Sequence, residues 1–161
     1  MSGDDDSDPE VMTFVERFAA EMVEAGMQRM AARVFSALLA SEDGALGSAE
    51  LAERLQISPA AVSGAVRYLS QVGMLARERE PGSRREVYRV RSDQWYESFT
   101  ERGGMLIRWE STLRDGAHVV GEETDAGRRL AETAEFFNFV QRELAGMKDR
   151  WREYKAASER A

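Results

Sequence analysis

Residues 48–75, SAELAERLQISPAAVSGAVRYLSQVGML, hold two helices that meet at a tight corner. Ser48 caps the first, which runs through Leu55 with Ala49, Leu51, Ala52 and Leu55 on its buried side. Gln56 and Ile57 form the turn. Ser58 is the next N-cap and Pro59 the first helical residue, a position where an amide would be unpaired anyway. A helix that starts three residues after the previous one ends must cross it sharply, which is helix-turn-helix geometry. Gly73 supplies the stop that a left-handed C-terminal residue requires.

Beyond Met74 and Leu75 the periodicity changes. Two short stretches, Ala76 to Glu80 and Glu86 to Val90, flank Pro81-Gly82-Ser83-Arg84-Arg85, the pattern of a hairpin with a basic tip. On the helix that precedes it, successive residues advance by about 100°. Val62, Ala65, Val66, Leu69 and Val72 therefore share one side, while Ala60, Gly64, Arg67 and Gln71 share the other, edged by Ser63, Ala61 and Tyr68. That outer face is small near the helix N-terminus and long and basic further on, as a helix inserted into a major groove requires. Reading is assigned to Ala60, Ala61, Ser63, Gly64, Arg67 and Tyr68. Anchoring on the phosphate backbone is assigned to Ser58 and Pro59 at the helix start and to Arg84 and Arg85 on the hairpin. A helix pair without a nucleic-acid role and a merely solvated basic turn are the bland alternatives, and their convergence within one segment favours DNA.

The charge balance of -7 argues against nucleic acid until its distribution is considered. From residue 67 to 91 the cations are Arg67, Arg77, Arg79, Arg84, Arg85, Arg89 and Arg91, against Glu78, Glu80 and Glu86. The acidity is concentrated in the first 24 residues, where Asp4, Asp5, Asp6, Asp8, Glu10, Glu16, Glu21 and Glu24 face only Arg17. No stretch approaches the roughly 20 apolar residues of a membrane helix. The acidic start is unlike a secretory signal, so a cytoplasmic protein without membrane partners is expected.

Catalysis finds little support. Cysteine is absent and His118 is the single histidine, which excludes thiolate zinc sites, cysteine nucleophiles and multi-histidine metal centres. Glu122, Glu123 and Asp125 read as favourable charge at a helix N-terminus rather than an acid/base pair. No enzyme, metal or cofactor is expected.

The flanks call for another role. Asp8 and Pro9 start an amphipathic helix that carries Val11, Val15, Phe18, Met22 and Ala25 and ends at Gly26; a second follows from about Gln28 to Ala40. Past Ser92, one helix is expected from Asp93 to about Ala117 and a longer one from Asp125 to Tyr154. In the latter, Ala126, Leu130, Thr133, Phe137, Val140, Leu144, Met147, Trp151 and Tyr154 alternate by four and three. Such a seam must be covered, by a second copy of the chain or by the rest of the same chain. A homodimer interface is assigned to Val15, Phe18, Leu130, Phe137, Val140, Leu144 and Trp151. Met22, Met30, Trp95, Phe99 and Trp109 form a soft aromatic set that could line an apolar effector pocket or simply be core.

Leu51 to Ser63, Leu69 to Leu75 and the Pro81 to Arg85 turn resemble the MarR family of winged helix-turn-helix regulators. The stretch Gly26-Met27-Gln28-Arg29 is similar to one found before the helix-turn-helix in its GbsR-like branch, which often has proline where Gln28 stands. The resemblance implies a dimeric, ligand-responsive repressor whose terminal helices join the subunits. The expected fold is mainly α with a small β wing, a winged helix-turn-helix with N- and C-terminal dimerisation helices. Its layout is an acidic leader (1–7), an N-terminal dimerisation helix (8–26), a DNA-binding domain (27–92) and a C-terminal helical dimerisation and effector region (93–161). Expected partners are double-stranded DNA, a second copy of the chain and a small apolar effector. The alternative is a winged-helix module that binds protein.

Overall fold

The computed structural model describes residues 8–90 and 103–160. The chain divides into two compact units, Met1–Tyr96 and Glu97–Ala161. In the first, the order is α1 (Pro9–Glu24), α2 (Arg29–Ala40), β1 (Ala45–Gly47), α3 (Ser48–Leu55), α4 (Pro59–Gln71), β2 (Leu75–Arg79) and β3 (Glu86–Val90). In the second, α5 (Gly103–Val120) and α6 (Asp125–Ser158) form an antiparallel pair.

The core of the first unit is built from one face of each helix. Phe35 and Leu38 of α2, Leu51 and Leu55 of α3, and Val62, Val66 and Leu69 of α4 are completely or almost completely buried, with Tyr88 and Val90 closing the sheet side. Leu46 and Tyr88 pair across β1 and β3, and Arg77 pairs with Tyr88 across β2 and β3, giving an antiparallel sheet in the order β1-β3-β2. The sheet is thus a hairpin with one short extra strand, and it places the 80–85 turn at the far end of the ladder.

Two local readings shift. The first residue of α3 is Ser48, so the capping position is Gly47, whose amide donates to the Glu50 carboxylate at 2.7 Å. Glu50 makes the half of a capping box that satisfies the N-cap amide, whereas an N-cap serine would have accepted from an amide inside the first turn. The second concerns α1. Val15 and Ala19 are buried in the first unit, and Arg33 of α2 donates to Glu16 of α1 at 2.7 and 2.9 Å and to the Leu55 carbonyl at 2.8 Å. The N-terminal helix is therefore part of the same packed body as the helix-turn-helix. Val15 is only 1% exposed and has no surface to give to a dimer; the exposed neighbour is Phe14, which stacks on Phe18 at 6.0 Å.

In the second unit the long helix packs on α5 along a line shifted from the expected heptad. Gly127 and Ala134 are buried, Leu130 approaches Gly116, Phe137 meets Trp109 edge-on at 5.4 Å, and Gln141 donates to Glu110. Leu130 and Phe137 thus spend part of their surface on α5 and remain half-buried, with the rest open to a further partner. Their neighbours on the stripe are small, so large apolar residues alone did not reveal it. Gly127 is required because a Cβ there would overlap the Gly121 carbonyl, where the chain turns between the helices at positive φ. Phe136 and Phe139, off the heptad, are 59% and 58% exposed, as are large parts of Met147, Trp151 and Tyr154. The expected helical segment 93–102, with Trp95 and Phe99, lies outside the described residues.

Candidate nucleic-acid interface

The recognition element is held by caps at both ends. The Ser58 hydroxyl accepts from the Ala61 amide at 3.1 Å, with Pro59 at the first helical position. At the other end Gly73 adopts a φ of 77° and the Met74 amide returns to the Leu69 carbonyl at 2.9 Å. The corner before α4 is set by Gln56, whose φ of 51° lets the Ile57 amide reach the Ala52 carbonyl. Position 56 is a non-glycine residue in the left-handed region, a conformation that carries a cost and persists because the surrounding helices fix it.

This frame turns Val62, Ala65, Val66 and Leu69 into the core. Ser58, Pro59, Ala60, Ser63, Gly64, Arg67 and Gln71 are exposed. Ala61 and Tyr68 are half-buried, and Tyr68 packs against the core. A Cβ built on Gly64 meets no heavy atom within 4 Å. Nothing in the fold requires a glycine there, and the open space is where a partner surface would come closest.

The basic side chains separate into free and engaged groups. Arg67 and Arg84 are exposed and have no hydrogen-bond or ion-pair partner among the described residues. Arg89 is tied to Glu78 at 2.9 Å and to the Asp43 carbonyl. Arg85, expected to stand beside Arg84 as a second anchor, instead folds back toward α3, with its Nη2 atom 3.6 Å from Glu50 Oε2. Glu50 and Gly47 were not singled out from the sequence, although the three-residue spacing of a capping pair was present. Behind the strands, burial raises the pKa of Tyr88 above its usual 10.0, helped by the negative charge of Glu86, to which the phenol donates at 3.4 Å.

The other expected sites fall in different places. Met22 and Met30 pack against the core of the first unit, while Trp109 belongs to the second unit and contacts Phe137. Of the residues assigned to dimer contact, Phe18 is half-buried beside Phe14, Val140 and Leu144 are half-exposed and Trp151 is exposed.

Comparison with known proteins matches residues 25–86 to the MarR family model and residues 93–154 to a model described as MmpR5-like MarR family transcriptional regulator. The chain belongs to the MarR family. It is 26% identical over 136 residues to the HTH-type transcriptional regulator MmpR5 of Mycobacterium tuberculosis, spanning 84% of this chain and 82% of that protein. Its fold is similar to a crystal structure described as a transcriptional regulator, with a TM-score of 0.80, 25% identity, and coverage of 90% of this chain and 99% of the other. As a MarR-family protein the chain is a DNA-binding transcriptional regulator and not an enzyme. Among the described residues, no helix is long and apolar enough to cross a membrane.

Proposed function

We propose that this MarR-family protein represses transcription as a cytoplasmic homodimer, with the two α4 helices reading successive major grooves of a pseudo-palindromic operator and release triggered by a small apolar effector. The observation that carries the DNA half is the outer face of α4. It is small and open at Ala60 and Gly64 and cationic at Arg67, which like Arg84 of the wing in the same unit has no partner among the described residues. Small residues allow the helix backbone close to base edges, while the arginines reach guanine or phosphate.

Pairing of subunits is supported by the apolar surface left over after packing. Phe14 on α1 and Phe136, Phe139 and Trp151 on α6 are between 42% and 59% exposed, with Phe136 and Phe139 three positions apart on α6 and Trp151 stacked on the exposed Tyr154 at 5.9 Å. Closed two-fold pairing is the commonest way to cover such a surface and matches two half-sites on a duplex. Met22, Met30 and Trp109, with Trp95 and Phe99, remain the residues proposed for effector binding. The layout of leader, N-terminal helix, winged domain and C-terminal helices stands as the proposed division of labour. Gly26-Met27-Gln28-Arg29 supports a GbsR-like kinship.

The test is binding to a fragment of the protein's own promoter region across a salt series. Affinity is expected to fall steeply with salt, and Arg67→Ala and Arg84→Ala should each flatten the slope by roughly one unit for a lost phosphate contact. A wild-type protein that shifts no duplex at low salt would refute the reading. A monomeric mass at micromolar concentration would refute the two-half-site arrangement.

A further inference from the structure

We infer that Glu50 is a discriminating residue that holds the wing's Arg85 away from the phosphate backbone of non-cognate DNA, an inference that rests on the DNA-binding role proposed above for the wing. The seat for Arg85 is formed by two residues at the β1–α3 junction. Glu50 Oε2 accepts from the Gly47 amide at 2.7 Å, which fixes the carboxylate, and the same oxygen lies 3.6 Å from Arg85 Nη2. Gly47 provides a flat floor: a Cβ there would stand 3.2 Å from Arg85 Nη2 and 3.3 Å from its Nε. Arg84, one residue away, has no such partner, so adjacent arginines on one turn are held in different states.

A carboxylate fixed by a backbone amide presents an anionic oxygen to the guanidinium much as a phosphate would. Arg85 must leave Glu50 before it can neutralise a phosphate, so any binding mode that uses Arg85 loses this ion pair. A random sequence has only backbone contacts to offer and depends on Arg85 for more of its affinity, whereas a cognate site is also held by base-edge contacts to α4 and can be bound with Arg85 still on Glu50. Glu50 therefore lowers non-specific binding more than specific binding and widens the ratio between them, the quantity that governs site selection in a genome.

Three variants test this on the full-length protein. Glu50→Gln keeps an acceptor for the Gly47 amide but removes the charge. Gly47→Ala, allowed by its φ of -79°, crowds the guanidinium without changing any charge. Arg85→Ala removes the held group. Binding is measured by fluorescence anisotropy on a random-sequence duplex and on the promoter fragment, between about 50 and 200 mM salt. Glu50→Gln and Gly47→Ala are each expected to tighten binding to the random duplex by about two- to fivefold, the range spanned by one exposed ion pair, with a steeper salt slope and a smaller change on the promoter fragment. In an Arg85→Ala background neither should have any effect. The inference is overturned if Glu50→Gln tightens binding equally without Arg85, or if Gly47→Ala leaves binding unchanged, since the charge at position 50 would then act only through the general field. It is also overturned if both duplexes gain equally. Wild-type protein that binds neither duplex at the lowest salt removes the DNA-binding reading itself, whatever residue stands at position 50.

Discussion

Replacing Gly64 by alanine should move stability and DNA affinity in opposite directions. Gly64 lies inside α4 on the exposed face, and an added Cβ there has nothing within 4 Å. A glycine in a helix interior costs about 0.5–1 kcal/mol relative to alanine, because the unfolded chain has more freedom to lose. With no clash to offset that term, Gly64→Ala should stabilise the protein by about that amount. Melting should rise by about 1–4 °C, given the roughly 2–4 °C per kcal/mol typical of a chain this size. On DNA the same methyl group would occupy the space where the helix backbone comes closest to the bases. Forcing one extra carbon into a packed contact costs roughly 1–3 kcal/mol, which is about a five- to hundredfold loss of affinity. Thermal unfolding by circular dichroism and anisotropy on the promoter fragment at one fixed salt concentration give both numbers from one preparation. A variant that melts higher and binds as tightly as wild type would refute close approach at this face. A variant that melts lower would show that Gly64 has a packing role within the fold.

Three further outcomes test the fold around the interface. Gly127→Ala should destabilise the α5–α6 pair by about 1–3 kcal/mol or more, seen as a lower urea midpoint, since the added carbon overlaps the Gly121 carbonyl and backbone cannot easily yield. The Ser36 hydroxyl is fully buried without a partner among the described residues, so Ser36→Ala should raise the unfolding free energy from urea titration by about 1 kcal/mol; a loss of stability would mean the hydroxyl is satisfied. Tyr88 is held protonated in the folded state, with burial raising its pKa above 10.0. Its contribution is fully present below pH 10 and is lost as pH rises from there through the higher folded value, where the unfolded chain ionises first. Denaturant midpoints from pH 8 to 11 should show that alkaline fall in wild type and a weaker one in Tyr88→Phe.

Much of the reading unit was legible because its signals are local. Ser58-Pro59 and Gly73 mark helix ends by backbone chemistry that does not depend on distant residues, and the strands begin and end within a residue of where the turn composition put them. The inward and outward faces of α4 also followed from periodicity alone. What was not legible needed knowledge of a partner. The α6 seam was visible as an apolar period, but Gly127 and Ala134 lie on the buried line and carry almost no hydrophobic signal, so the share of Leu130 and Phe137 that packs on α5 was not legible. Periodicity put Val15 on the apolar side of α1, but only the packing of α1 on α2 shows that this position is covered within the chain rather than by a second copy. Arg85 looked equivalent to Arg84 because the carboxylate that distinguishes them is 35 positions upstream.

The bridge from Arg33 to Glu16 and the Leu55 carbonyl bears on where an autonomous DNA reader can begin. The guanidinium side chain is only 18% exposed and spans three helices. A fragment trimmed to the conventional winged domain, starting near Met30, would lose Glu16 and uncover the apolar bed that Val15 and Ala19 fill, leaving a half-hidden cation with one carbonyl for company. The smallest inheritable module is therefore longer at its front than the reading helix suggests. A domain graft or a gene-fusion breakpoint that respects this protein should fall before Asp8, not after Gly26.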